Sequence, residues 1–360
     1  ASGMSARVAT TPGLVMSNAT GHTKAQTITG SSGADTIIGS TKGDTIDLGA
    51  GNDTVTPGTG ADTVAGGTGT DTVIYTGNAT AANIEGTGTG TSTGLVVNLG
   101  ATALTNANVL GTSTQSLAGS LTSVTTGQVA YLFGASAPTN SAVVDTLTDV
   151  ENVTVTDGIN YIVGSAGANT ITGGTGVDTI KAGDGNDVIV GAAGNDVLDA
   201  GKGNDTFTIT AAGDLDANDT ITAGAGTDNM NLTNVAGATA TLDDQTGLEK
   251  VTIVDGAAGA DMSLVVTYTA ANTSALTIDF SALDAGEDMT IDLSDAEVDG
   301  VTTIITGAGD DAITLGDGAD IVQIAFGGQG VDTLTTFVGG THVIDLTGTS
   351  DVADAAGADL

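Results

Sequence analysis

The chain has 360 residues with 56 glycines, no cysteine, no tryptophan and 2% aromatic residues. Side chains this small cannot fill a thick core between helices and sheets, but they can fill the thin one of stacked coils. Six Lys and Arg against 43 Asp and Glu give a formal net charge of −37, which excludes nucleic acid and anionic membrane surfaces as partners and calls for neutralising cations.

In chain order, residues 1–25 read as an N-terminal lead. The first thirty residues lack the basic start and apolar middle of a secretory signal, so an extracellular destination requires a removed signal or another export route. Residues 26–76 form a first roll. Within it, 30–74 divides into five nonapeptides: GSSGADTII, GSTKGDTID, LGAGNDTVT, PGTGADTVA and GGTGTDTVI. The sixth position is always Asp (Asp35, Asp44, Asp53, Asp62, Asp71), the seventh Thr, and the eighth aliphatic (Ile37, Ile46, Val55, Val64, Val73). Residues 77–154 lose this pattern and read as a lateral β-rich insertion, with apolar runs at Leu95–Val97 and Val129–Phe133.

A second roll covers 155–214. Its sixth positions are Asn160, Asn169, Asp178, Asp187, Asp196 and Asp205, and its eighth positions Ile162, Ile171, Ile180, Ile189, Leu198 and Phe207. Residues 215–305 carry strand-like patches (VTIVDG, LVVTY, LTIDF, MTIDL) without the consensus and read as looser coils. A third run at 306–341 has Asp311 and Asp320 nine apart, then Asp332 after a three-residue insertion. Phe326, Phe337, Val338 and Ile344 gather there to cover the coil end, and 342–360 is read as cap and tail.

Each nonapeptide makes sense as a glycine turn plus a very short strand. Gly49, Gly51, Gly58 and Gly60 permit left-handed turn angles, and Thr54-Val55-Thr56 alternates out, in, out. Two units close one coil, so residues eighteen apart stack about 4.8 Å apart. The predicted fold is therefore an all-β parallel β-solenoid. Stacking sets Asp35, Asp53 and Asp71 in one rail and Asp44 with Asp62 in the opposite one. Asn160, Asp178 and Asp196, and separately Asn169, Asp187 and Asp205, form the rails of the second roll. Carboxylates about 5 Å apart repel by roughly 3 kcal/mol at an effective dielectric of 20, so the array needs cations between its rungs. Calcium, a hard ion that takes six to eight oxygens, suits it better than magnesium.

These residues resemble the repeats-in-toxin (RTX) family, whose consensus is G-G-x-G-x-D-x-U-x with U aliphatic; this repeat is one of the handful that define solenoids by sequence period. The resemblance implies a calcium-binding β-roll in which turn carbonyls and sixth-position Asp of coils eighteen apart clasp Ca²⁺. Carried over by position, the clasp pairs are Asp35 with Asp53, Asp44 with Asp62, Asp53 with Asp71, Asp178 with Asp196, Asp187 with Asp205, and Asp196 with Asp214. Asn160 and Asn169 keep a ligand oxygen without the charge, and Asp311, Asp320 and Asp332 complete the set. Lys42 stands where the fourth-position Gly is usual. The phrases DTITAGAGTDNMNL, GLEKVTI and LTIDFSAL also resemble bacterial surface-layer proteins in style.

The two histidines, His22 and His342, lie near opposite ends, and there is no H-E-x-x-H, G-x-S-x-G or cysteine nucleophile. No apolar run approaches the ~20 residues of a membrane span. The expectation is a non-enzymatic, extracellular protein of the bacterial cell surface that self-associates through calcium, with a cell-surface glycan as a possible partner. The alternative is a calcium-binding secretion and folding module of a larger type I-secreted enzyme or toxin, or an RTX adhesin. Fold alone does not separate these.

Overall fold

The computed structural model describes residues 24–75, 92–105, 123–133, 144–211, 218–234, 237–243, 246–256, 261–267, 275–294, 301–316, 319–324, 330–335 and 342–345, with single residues or pairs at 13, 15–16, 116–117 and 214–215. His22, Phe326, Phe337, Val338 and the final ten residues lie outside the described residues. Those described form strands and turns with no α-helix, as an all-β parallel solenoid requires.

The local rule is a two-glycine turn followed by a three-residue strand. Gly67 and Gly69 have φ of 102° and 142°, angles that L side chains avoid. Stacking imposes a second demand, because a Cβ on Gly69 would lie 1.7 Å from the Gly51 carbonyl oxygen of the coil before. The turn at 40–44 forms although Lys42 replaces a glycine: Ser40 Oγ donates to the Lys42 carbonyl (3.3 Å) and accepts the Lys42 N–H (3.2 Å).

The chain divides into two compact units, 1–202 and 203–360. In the first unit, one parallel sheet runs through Thr36–Ile38, Thr54–Thr56, Thr72–Tyr75, Asn152–Val155, Thr170–Thr172 and Val188–Val190. The opposite sheet begins with Thr27–Ser31, Thr45–Gly49 and Thr63–Ala65 and ends with Tyr161–Val163, Thr179–Asp184 and Val197–Lys202. Partners such as Thr36↔Thr54, Thr45↔Thr63 and Thr179↔Val197 are eighteen apart, the expected register. Ile37, Val55, Val73, Ile171 and Ile189 from one sheet, and Ile46, Val64, Ile162 and Ile180 from the other, are fully buried. Each contributes roughly 1.5–3 kcal/mol of burial.

The insertion is only partly lateral. The solenoid resumes at Val144–Thr148, which pairs parallel with Thr63–Ala65, rather than at about residue 155. Two strands of the insertion, Gln128–Phe133 and Ser92–Asn98, then enter the same sheet antiparallel to each other, and Ser92–Asn98 hands over to Tyr161–Val163. The added strands bury Val96 and Ala130 in a side cluster with Leu104, Val124 and Tyr161.

In the second unit, one sheet takes Thr206–Ile209, Asn229–Thr233, Lys250–Val254, Leu276–Asp279, Thr302–Ile305, Ile321–Gln323 and Val343–Asp345 in order. The other takes Ala238–Asp243, Met262–Thr267, Met289–Asp292, Ala312–Thr314 and Thr333–Thr335. All pairings are parallel, but partners such as Lys250↔Thr277 and Met262↔Met289 lie further apart in sequence than eighteen. The turns lengthen while the strands keep their stack.

Candidate metal centres

The sixth-position rail residues from Asp35 to Asp71 and from Asn160 to Asp205 each sit immediately before a strand, so strand stacking aligns the rail. Its side chain then makes one recurring bond: Oδ1 accepts the backbone N–H of the rail residue one coil earlier. The bonds are Asp35 N to Asp53 (2.7 Å), Asp53 N to Asp71 (2.8 Å), Asp44 N to Asp62 (2.7 Å) and Asp178 N to Asp196 (2.9 Å). These four pairs are clasp pairs expected from sequence, and the structure brings each together. Asn160 N to Asp178 (2.8 Å) and Asn169 N to Asp187 (2.7 Å) follow the same rule. The pairs Asp187 with Asp205 and Asp196 with Asp214 fall on either side of the division between the units.

The rails also recruit residues that the nonapeptide pattern did not flag. Asp71 N donates to Glu151 Oε2 and Asp62 N to Asp145 Oδ1, both at 2.8 Å. One rail of the first unit is thereby continuous through Asp35, Asp53, Asp71, Glu151, Asn169 and Asp187. The signal was present in the D-T-L of Asp145–Leu147, which repeats the sixth-to-eighth positions. In the second unit Asp205 N donates to Asp228 Oδ1 and Asp228 N to Glu249 Oε2, each at 2.8 Å. Asp219 and Asp228, nine apart in DTITAGAGTD, are both buried. Asp214, assigned to a rail from sequence, instead closes a local turn, its Oδ2 accepting from Thr210 Oγ1 (3.0 Å) and Ala211 N (2.9 Å).

The third run splits between the two sheets of its unit. Asp311 Oδ1 accepts the Met289 N–H (2.9 Å), and Asp311 N donates to Asp332 Oδ1 (3.3 Å). Asp320 Oδ1 accepts the Thr302 N–H (3.4 Å), while Asp320 N faces His342 Nδ1 at 3.3 Å. An imidazole thus holds the last described rail position. Glu287, just before Met289–Asp292, is buried, whereas Asp284 is exposed.

The second carboxylate oxygen decides the chemistry. At Asp53, Asp71, Asp178, Asp228 and Asp311, Oδ2 is buried and has no hydrogen-bond partner. Burying carboxylate oxygens without compensation is costly, and the carboxyls respond. Burial, with Asp196 adding repulsion, pushes Asp178 up to about 7. Burial, with Asp332 and its neighbours adding repulsion, pushes Asp311 to about 7 and, with Asp205, Asp228 to about 6. Asp53 and Asp71 are raised for the same first reason. A divalent cation relieves both penalties at once. Among the described residues no group of three or more His, Cys, Asp or Glu side chains converges as a metal site. The oxygens that would hold a cation are rail carboxylates of successive coils with turn carbonyls, such as those of Gly158 and Gly173 around position 160, an all-oxygen set that fits calcium.

The RTX calcium-binding nonapeptide repeat matches residues 29–64, 56–74, 154–187, 172–207, 215–233 and 298–334. The match at 215–233 extends the repeat into a stretch that lacks the full consensus, where Asp219 and Asp228 lie. No curated protein matches the chain significantly. Proteins with these repeats are typically secreted, and among the described residues no helix is long and apolar enough to cross a membrane. Repeat matches and buried carboxylate rails coincide: the chain carries RTX calcium-binding nonapeptide repeats, and such repeats bind multiple Ca²⁺ ions.

Proposed function

We propose that the chain is a secreted, calcium-dependent structural protein of the bacterial cell surface, of surface-layer type, without catalytic activity. The observation that carries this reading is the pair of buried carboxylate rails, in which the unpartnered Oδ2 atoms of Asp53, Asp71, Asp178, Asp228 and Asp311 make the fold itself the consumer of calcium. Burial raises the carboxyls of several rail aspartates, among them Asp53, Asp71, Asp178, Asp228 and Asp311. Their Oδ1 atoms are committed to backbone N–H groups of the neighbouring coil, which suits ligands held in a scaffold better than acids and bases that must reach a substrate. Millimolar calcium outside the cell then completes folding after export. Acidic residues left on the surface, such as Asp284 and Asp310, repel between bare molecules and share calcium between loaded ones, so that self-association also follows the ion.

Circular dichroism and light scattering across one calcium titration test both parts. β-structure and then larger particles are expected to appear as calcium rises. An unchanged β signal and melting midpoint in excess chelator would overturn calcium-dependent folding. A strictly monomeric protein at high calcium and high concentration would overturn self-assembly and favour a secretion and folding module of a larger protein.

A further inference from the structure

The second run opens on asparagine at both rails, where the turns after it carry aspartate, and the structure shows what that one-atom change does. Asn160 Oδ1 accepts the Leu95 N–H at 3.0 Å, the bond that each rail aspartate's Oδ1 accepts from the coil before it. This fixes the other end of the amide as Nδ2, in the place of an aspartate's Oδ2. Around Nδ2 lie Asp178 Oδ1 at 2.9 Å and the carbonyl oxygens of Gly173 at 3.0 Å, Gly158 at 3.2 Å and Asp157 at 3.4 Å. These four oxygens come from two successive turns, and Asn160 is buried among them. A carboxylate oxygen at that point would meet acceptors alone. Only a donor or a cation satisfies the cage.

On the opposite rail Asn169 is closed in a related way. Its Oδ1 accepts the Ser165 N–H at 2.7 Å, and its Nδ2 donates to the Glu151 carbonyl at 2.5 Å and to Ser165 Oγ at 3.2 Å.

We infer that Asn160 is a built-in substitute for a calcium ion, its two N–H groups shared among the oxygens that would otherwise coordinate the metal. Asn169 is held the other way round, its Oδ1 on the Ser165 N–H where Asp35 and Asp44 place Oδ2. The turn at Asn160 therefore closes without calcium, and the coils after it, which carry aspartate, add to it as calcium is bound. The inference rests on the reading of the rails as calcium sites, and its test separates the two.

The full chain carrying Asn160→Asp is compared with the wild type by equilibrium dialysis against calcium and by thermal unfolding in chelator. One additional ion per chain is expected, together with a lower melting midpoint in chelator that calcium restores. A wild type that binds calcium and a variant that binds the same number, with the same midpoint in chelator, overturn the inference and leave the calcium reading intact. A wild type that binds no calcium overturns the calcium reading itself. If the variant does not fold even in calcium, hydrogen exchange on the wild type in chelator decides. Protection of the Asn160 and Thr179 amides at least tenfold above that of Asp53 and Thr72 supports the inference, and equal exchange refutes it.

Discussion

Removing calcium should leave a fold that prefers acid, and the sign follows from the rails. Asp178 is fully buried, and burial first, then Asp196, raises its carboxyl from 3.8 to about 7. A group whose pKa is higher folded than unfolded stabilises the fold in its protonated form. That contribution is complete below about pH 4 and is lost as pH rises through about 7. At ~1.4 kcal/mol per pH unit the loss at Asp178 is on the order of 4 kcal/mol, comparable to the whole stability of a marginal domain. Asp311, Asp228, Asp53 and Asp71 act in the same direction. Thermal unfolding of resin-stripped protein between pH 4 and pH 8 is the assay. The midpoint should fall by on the order of 10 °C from Asp178 alone, most steeply between pH 5 and 7. Millimolar calcium should abolish the fall at neutral pH and change nothing at pH 4, where protons outcompete the ion. Asp178→Asn should flatten the metal-free profile. A metal-free midpoint that rises with pH would refute the reasoning.

Asp71→Asn keeps the oxygen that accepts the Asp53 N–H and removes the charge, so it should raise the metal-free midpoint while calorimetry finds at least one calcium fewer. Gly69→Ala places a Cβ 1.7 Å from the Gly51 carbonyl oxygen at a φ of 142° and should destabilise the first unit by ~2 kcal/mol or more in denaturant titrations. Ala192, held at a φ of 67° where the adjacent repeats have Gly183 and Gly201, predicts the opposite sign: Ala192→Gly should stabilise by ~1 kcal/mol in the same titration. Tyr75→Phe removes the donor that Asp145 Oδ2 accepts at 3.0 Å, which should cost ~1–3 kcal/mol. The calcium count by dialysis should stay unchanged, because the next strand beside Asp145 is antiparallel and stacks no turn on it.

What was legible in the sequence was whatever repeats at eighteen. The Asp-Thr-aliphatic triplet set the register, the inward residues and most of the rails, because a coil of two nonapeptides leaves no freedom in which side chains stack. Legibility fails where coil length varies. Glu249 stacks on Asp228 twenty-one residues away, and no fixed period points to it. His342 stands at a rail position by strand pairing alone, since Val343 pairs with Ile321. The antiparallel entry of Ser92–Asn98 and Gln128–Phe133 has no local signal either. Their alternation marks half-buried strands, but which sheet accepts them is decided by the gap between Val144–Thr148 and Tyr161–Val163. Asp214 shows the reverse failure: the count of nine continues to it, but its side chain is used locally by Thr210 and Ala211.

The direction of the rail bonds has a consequence for how the coils depend on one another. Rail carboxylates such as Asp53, Asp71 and Asp178 fix the backbone of the coil before them through Oδ1 and leave Oδ2 for an ion, so the order of a turn depends on the turn that follows it. Energetically this is nearest-neighbour coupling along a one-dimensional stack, and the coupling lasts as long as the rail stays polar. In the first unit Glu151 carries one rail across the insertion without a gap, whereas the other rail ends at Asp145 and begins again at Asn160, with two antiparallel strands between. In the second unit the row passes from Glu249 through Leu276, which is apolar, to Thr302 before Asp320 restores a carboxylate. Calcium-linked ordering therefore propagates within runs and halts at these positions, where hydrophobic burial of Leu276, Ile278 and Ile304 holds the stack. On the calcium reading proposed above, the interruptions divide each unit's acidic rails into short segments, each expected to order with its own few ions.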